Sequence, residues 1–258
     1  MAELLDSIKL WATAIFFGIL AILHTLKQLV TKGPSNVFYW KQWDRPQILD
    51  DPRLGTHGFL TLKDVRIHYV ASGPEDKPLM LFVHGFPEFW YSWRHQIIEF
   101  QKDYRVVAID QRGYNKSSKP SGKKNYSAVK LMSDIEQIIQ ALGYKSCILV
   151  GHDWGGLVTW VFSKHYPHLV DKLIVMNAPP FSIFKQFLST SKDQAKKSWY
   201  VFFFQLPFLP ELILKLENYG FLDDLLPSKH KLKGSAVADS VKMKTLFLTN
   251  TCFLTQEH

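Results

Sequence analysis

CILVGHDWGG, residues 147–156, is a run of four apolar residues and a glycine that leads without a break into His-Asp-Trp-Gly-Gly. A short, continuous apolar run of this kind fits a strand buried on both faces of a parallel sheet. The residues that follow, from Gly155 to His165, have helical spacing. A strand that passes straight into a helix needs a sharp turn, and the pattern Gly-x-Asp-x-Gly places Gly151 and Gly155 two residues to either side of Asp153. Both positions must be small, because the backbones on the two sides of such a turn nearly touch. The central residue is then held out at the top of the turn, where a nucleophile would sit. Serine there suits an acyl carbon. A carboxylate is already ionised at neutral pH, needs no base to deprotonate it, and suits an alkyl carbon bearing a good leaving group or ring strain. The alternative is an ordinary glycine-rich turn in which Asp153 caps the helix.

Working outward, LMLFVH (79–84), YRVVAID (104–110) and LIVM (173–176) repeat the buried-strand pattern, while GFLTL and the alternating VRIHYV (65–70) predict two half-exposed antiparallel strands. Helical stretches fall near 90–101, from Ser127 to about Leu142 with Gly143 as the stop, and at 155–165. This βαβα order predicts an α/β fold, a mostly parallel sheet flanked by helices, with ligands at the carboxyl ends of its strands. A chain of 258 residues with 47% hydrophobic and 21% charged residues has the apolar content for a real core. Two cysteines cannot build a disulfide framework, and no Cys/His cluster has metal spacing. The net charge of +8 comes from scattered lysines without an aromatic platform, so no nucleic-acid partner is expected.

Four segments are expected. Residues 1–31 form an N-terminal membrane anchor, since positions 10–26 carry no formal charge and the start lacks a cleavable leader's pattern. Lys27, Lys32, Lys41 and Arg45 follow the span, which places the downstream part on the cytosolic side of a single-pass protein, with the endoplasmic reticulum as the expected membrane. Residues 32–56, with three prolines, read as a linker, and 57–180 as the core. From 181 to 258 strand signals vanish, and Phe, Leu and Tyr at helical spacings predict a partial helical cap with an atypical end.

A second turn belongs with the first. After the strand LMLFVH come His84, Gly85, Phe86, Pro87 and Glu88, where a glycine turn would aim the Phe86 N–H into the same pocket as the Trp154 N–H. Two such donors make an oxyanion hole; His84 reads as structural. HGFPEFWYSWRHQ (84–96), DQRGYNKSSKP (110–120) and GHDWGG (151–156) resemble the α/β-hydrolase-fold epoxide hydrolases. The anchor followed by RLGTHGFL (53–60) is similar to the membrane-anchored epoxide hydrolase 3/4 subgroup of animals. The resemblance covers about residues 50–230 and implies an α/β-hydrolase fold, no cofactor, no metal, and an epoxide as substrate, while the anchor and the aromatic cap favour a small lipophilic one. It implies Asp153 as nucleophile, Phe86 and Trp154 as oxyanion donors, and Tyr200 as a phenol that polarises the epoxide oxygen. Gly85, Pro87, Gly151, His152, Gly155 and Gly156 support the motifs. Asn115 departs from the family's usual glycine in the R-G-Y-G turn, a mild change because Asn tolerates positive φ.

The resemblance also implies a longer chain, with a second tyrosine, an acid and a water-activating histidine. None of the ten histidines takes that place: His230 lies in the cap and His258 is terminal. The sequence therefore reads as C-terminally truncated, able to form an ester on Asp153 and then stall, with an exposed sheet edge that favours aggregation. Two other readings stand beside it: a haloalkane dehalogenase-like hydrolase, and a non-catalytic membrane-anchored protein that keeps the ligand pocket. Phe86 offers a halide no side-chain donor, which favours epoxide opening over dehalogenation.

Overall fold

The structure is a computed structural model that describes residues 2–39 and 45–220. The end of the predicted cap, with His230, the run TLFLTNTCFLT, Cys252 and His258, lies outside the described residues. The chain divides into two compact units.

The larger unit spans 45–184 among the described residues and is built on a six-stranded sheet. Its strands are β1 (Thr56–Thr61), β2 (Arg66–Ser72), β3 (Leu79–Val83), β4 (Arg105–Ile109), β5 (Cys147–His152) and β6 (Val170–Met176), in the order β1-β2-β4-β3-β5-β6. β4, β3, β5 and β6 run parallel, and β2 and β1 close one side antiparallel. Every residue of β3 is buried, as its unbroken apolar run requires. β6 is largely half-exposed, and Ile174 is 44% exposed, so the apolar run that predicted this strand belongs to an edge among the described residues. β2 is more buried than its alternation suggests, because it lies between β1 and β4.

Helices α3 (Arg94–Phe100), α4 (Ala128–Ala141) and α5 (Trp154–His165) connect the strands. α4 sends Met132, Ile135, Ile138 and Ile139 into a core shared with Leu79, Leu81, Val107, Leu149 and Phe162. Each such side chain contributes about 1.5–3 kcal/mol by leaving water. The segment predicted as linker contains short elements of its own: α2 (Pro34–Val37) and two 3-10 turns, Gln47–Asp50 and Pro52–Leu54, which bury Leu49 and Leu54.

The smaller unit comprises 2–39 and 185–220 among the described residues. It holds α1 (Ala2–Lys32), α2, α7 (Lys192–Lys197), α8 (Trp199–Phe203) and α9 (Leu209–Tyr219), and α6 (Phe181–Thr190) carries the chain into it. α1 packs on α8: Phe17 lies 6.0 Å from Trp199 and 6.4 Å from Phe202 between ring centroids, and Lys32 pairs with Glu217 at 2.7 Å.

Candidate active site

β5 ends at His152 and α5 begins at Trp154, so Asp153 alone makes the turn, at φ 51° and ψ −122°. A non-glycine residue there is strained by about 1–3 kcal/mol. The turn is closed by contacts that leave no room for a side chain. A Cβ on Gly155 would lie 2.3 Å from the Val83 carbonyl oxygen and 2.4 Å from that of His84, and one on Gly151 would lie 2.3 Å from Thr159 Oγ1. The sequence requirement for small residues on both sides of Asp153 thus has a direct steric cause.

Asp153 does not cap α5: its side chain makes no capping bond. Oδ1 instead accepts the Phe86 N–H at 3.0 Å. The turn after β3 comes so close that a Cβ on Gly85 would meet Asp153 Cβ at 2.5 Å. Trp154 is the first residue of α5, and a first-turn N–H has no acceptor within its own helix. The Phe86-Pro87 peptide is cis.

Glu88 holds the two turns together, a role the sequence reading did not assign. Its Oε2 accepts the Gly85 N–H at 3.1 Å and lies 2.9 Å from His152 Nδ1. That bond to Glu88 raises the His152 pKa above its ordinary value against the opposing effect of burial. Burial works to raise Glu88, but the bond and charge of His152 together with the Gly85 N–H outweigh it and leave the carboxyl below its ordinary value. The signal was present in the spacing, since a Glu three residues after Gly85 can fold back on that residue's N–H.

His84 is fully buried and both ring nitrogens are engaged: Nδ1 donates to the Gly85 carbonyl at 2.8 Å, and Nε2 accepts the Gln111 N–H at 3.1 Å. Burial lowers its pKa, which fits the neutral ring this bonding requires.

Beyond β4 a second carboxylate sits in a different setting. Asp110 is fully buried, and its Oδ1 accepts the Trp90 N–H at 2.9 Å. Its Oδ2 accepts from Asn115 Nδ2 at 2.6 Å and lies 2.5 Å from His68 Nδ1. His68 Nε2 is 2.8 Å from His57 Nδ1, and His57 Nε2 donates to the Leu49 carbonyl at 2.8 Å. Asn115 adopts φ 41°, so it serves the turn where glycine was expected and spends its amide on Asp110. Arg112 forms a buried two-pronged pair with Asp134, at 2.6 and 2.5 Å.

The structure therefore brings together Asp153, Phe86, Gly85, Pro87, Glu88, His152, His84, Gly151, Gly155 and Gly156. Tyr200 lies on α8 in the smaller unit, half-buried, with its ring 6.0 Å from that of Phe204. Among the described residues no group of His, Cys, Asp or Glu is arranged to hold a metal ion.

A parallel sheet with a strained carboxylate at a strand-to-helix turn, beside a glycine turn that presents an N–H, defines an α/β hydrolase. Residues 78–242 match the family described as the alpha/beta hydrolase fold, and the chain belongs to it. Within that family it is epoxide hydrolase-like. It is 43% identical over 230 residues to human epoxide hydrolase 4, covering 87% of this chain and 64% of that protein. It is 43% identical over 220 residues to epoxide hydrolase 3 of Xenopus tropicalis, covering 80% of this chain and 60% of that one. The crystal structure of Bacillus megaterium epoxide hydrolase in complex with an inhibitor superposes with a TM-score of 0.69 at 41% identity, over 75% of this chain and 67% of that one. The chain thus spans less than two thirds of the length of these curated relatives.

Proposed function

We propose that this chain opens lipophilic epoxides by forming an alkyl ester on Asp153. The observation that carries the reading is the Asp153 side chain, which is held at positive φ and turned toward the Phe86 N–H instead of capping α5. With Oδ1 held by that donor, Oδ2 is the oxygen available to attack. The Oδ2–carbon bond forms as the epoxide C–O bond breaks, and the leaving oxygen takes a proton from a phenol, the role proposed for Tyr200. In the ester Oδ1 becomes the carbonyl oxygen. It already lies beside the donor that would stabilise the tetrahedral intermediate when water attacks, with the Trp154 N–H as the second donor.

The second half-reaction needs a base within reach of the attacking water. Among the described residues, His152 is engaged by Glu88, and His84 is buried with both nitrogens bonded. The proposal for this chain is therefore ester formation, with turnover depending on a base from elsewhere. The names of the relatives support epoxides as the substrate class, and the length and apolar character of α1 support action at a membrane, which favours epoxides with apolar parts. The endoplasmic reticulum is our proposal for that membrane.

Mass spectrometry after incubation with a reactive aryl epoxide tests the reading. The expected result is a single adduct on the peptide that contains Asp153, absent from Asp153→Ala. An unmodified, folded protein would favour the non-catalytic reading, and halide release from a haloalkane would favour dehalogenation.

A further inference from the structure

We propose that His57, His68 and Asp110 hold three protons between them, one more than two neutral imidazoles and a carboxylate carry. This buried extra proton latches residues 47–54 onto the sheet and leaves as pH rises. The inference is independent of the chemistry proposed for Asp153. It comes from counting protons along one chain of contacts that runs from a backbone carbonyl to a carboxylate. His57 Nε2 lies 2.8 Å from the Leu49 carbonyl oxygen, His57 Nδ1 lies 2.8 Å from His68 Nε2, and His68 Nδ1 lies 2.5 Å from Asp110 Oδ2.

Each of these three contacts needs one hydrogen between its two heavy atoms. The Leu49 carbonyl brings none, an ionised carboxylate brings none, and two neutral imidazoles bring one each. With two hydrogens, one contact would set lone pair against lone pair, and Asp110 would keep a buried charge with no cation in the chain to balance it. A third proton completes the chain and cancels that charge. Burial lowers the His57 pKa in spite of its bond to Leu49, so His57 is the neutral ring, with its hydrogen on Nε2. Asp110 accepts two further hydrogen bonds, from the Trp90 N–H and from Asn115, as an ionised carboxylate does. The extra proton therefore sits on His68, which bonds through both ring nitrogens and has no side-chain exposure.

Other charged groups surround the chain. Asp50 Oδ1 lies 3.7 Å from His57 Nε2 and pairs with Arg45. Arg45 and Lys116, the latter on the turn after β4, both work against a charge on His57. Arg66 sits over the Phe59 ring, which packs on His68 at 5.1 Å, and His84 faces Asp110 as a neutral ring. Of the three residues in the chain, His57 is the one open to solvent, with 24% of its side chain exposed. When the proton leaves, the break falls at this outer end, where water can bond the freed groups. The Leu49 carbonyl is then released, and with it the two 3-10 turns that bury Leu49 and Leu54.

The test follows backbone hydrogen exchange in the full chain by mass spectrometry, from about pH 6 to about pH 10, corrected for base-catalysed exchange. A free histidine gives up its proton near a pH of about 6.5. Above that, the peptide containing 47–54 should lose about tenfold in protection per pH unit while β3 keeps its own. Asp110→Asn is the decisive variant, because its amide supplies a hydrogen to His68 Nδ1 and leaves both rings neutral. Its second amide hydrogen meets Asn115 Oδ1, which is buried without a partner, once the Asn115 amide turns over. Protection of 47–54 should then be independent of this titration. Should that variant fail to fold, 15N spectra of the histidine-labelled wild-type chain decide. His68, identified by its coupling across the bond to His57 Nδ1, should carry a hydrogen on both ring nitrogens near neutral pH. Protection of 47–54 that does not change with pH in the wild type, a change that survives in Asp110→Asn, or a single hydrogen on His68 would overturn the proposal.

Discussion

Asp110 and Asp153 stand at the carboxyl ends of two parallel strands of one sheet, and each belongs to a sharp turn with a non-glycine residue at positive φ: Asn115 at 41° and Asp153 itself at 51°. Their surroundings are opposite. Asp110 has no exposure and bonds to His68, Asn115 and the Trp90 N–H. Among the described residues, the carboxylate of Asp153 accepts one hydrogen bond, from Phe86, and the residue is only half-buried. A carboxylate whose lone pairs are spent on protein donors is a structural tie; one with lone pairs left over has the capacity to react. The strain follows the same division, because at the reactive turn it falls on the functional residue, whereas at the other turn it falls on an asparagine that tolerates it.

Substitutions at each turn can break this contrast. The largest effect is expected at Asp153→Asn, where adduct formation should vanish while the folded state keeps its stability. Asp153→Gly should go further and stabilise the fold by about 1 kcal/mol by relieving the strained φ, as read by urea unfolding. An unchanged or lower stability would show that the turn is not strained. Asp110→Ala should do the reverse. It strands a buried histidine, an amide and an N–H, and should cost about 3–5 kcal/mol, while the protein that remains folded still forms the ester at the usual rate. A lost adduct in folded Asp110→Ala would place both carboxylates in the chemistry. Gly155→Ala, which forces a methyl onto two backbone carbonyls, should cost about 3 kcal/mol and slow alkylation by shifting the Phe86 N–H away from Asp153.

The smallest effect concerns the clamp between the turns. The pKa of His152 is raised in the fold, so its contribution is present below the ordinary value of 6.5 and is lost as pH rises through the raised value. The pKa of Glu88 is lowered, so its contribution is present above the ordinary value of 4.5 and is lost as pH falls through the lowered one. The pair is therefore at full strength between those two ordinary values, and fades as pH rises through the raised value of His152 or falls through the lowered value of Glu88. Replacing His152 with Gln should cost about 1 kcal/mol near pH 5.5 and less near pH 9. A pH-independent difference in urea unfolding would show that charge is not what holds the clamp.

Much of this was legible in the residues. β3, β4 and β5 appear within a residue or two of where their apolar runs predict them, because strands buried on both faces have few alternatives. The turn at Asp153 was legible because steric crowding leaves glycine alone at 151 and 155. What stayed hidden depends on register. Phe59 pairs with His68, and His57 with Val70, so the two histidines meet only diagonally across the β1-β2 hairpin. No spacing along the chain predicts that contact, or the one between Arg112 and Asp134. The face of α1 that is covered was hidden for a different reason: Ala14, Gly18 and Ala21 look like any small residues in an apolar run until a neighbour is found against them.

The contact of Gly155 with the carbonyls of Val83 and His84 bears on how this scaffold can be altered. Since the first turn of α5 rests on the end of β3 without a methyl group's clearance, a thermal displacement of one loop drags the other, and the distance from donor to carboxylate survives as the sheet breathes. A graft that imports a foreign 84–88 loop without its matching 151–156 segment would lose that synchrony, so the two have to be exchanged as a set.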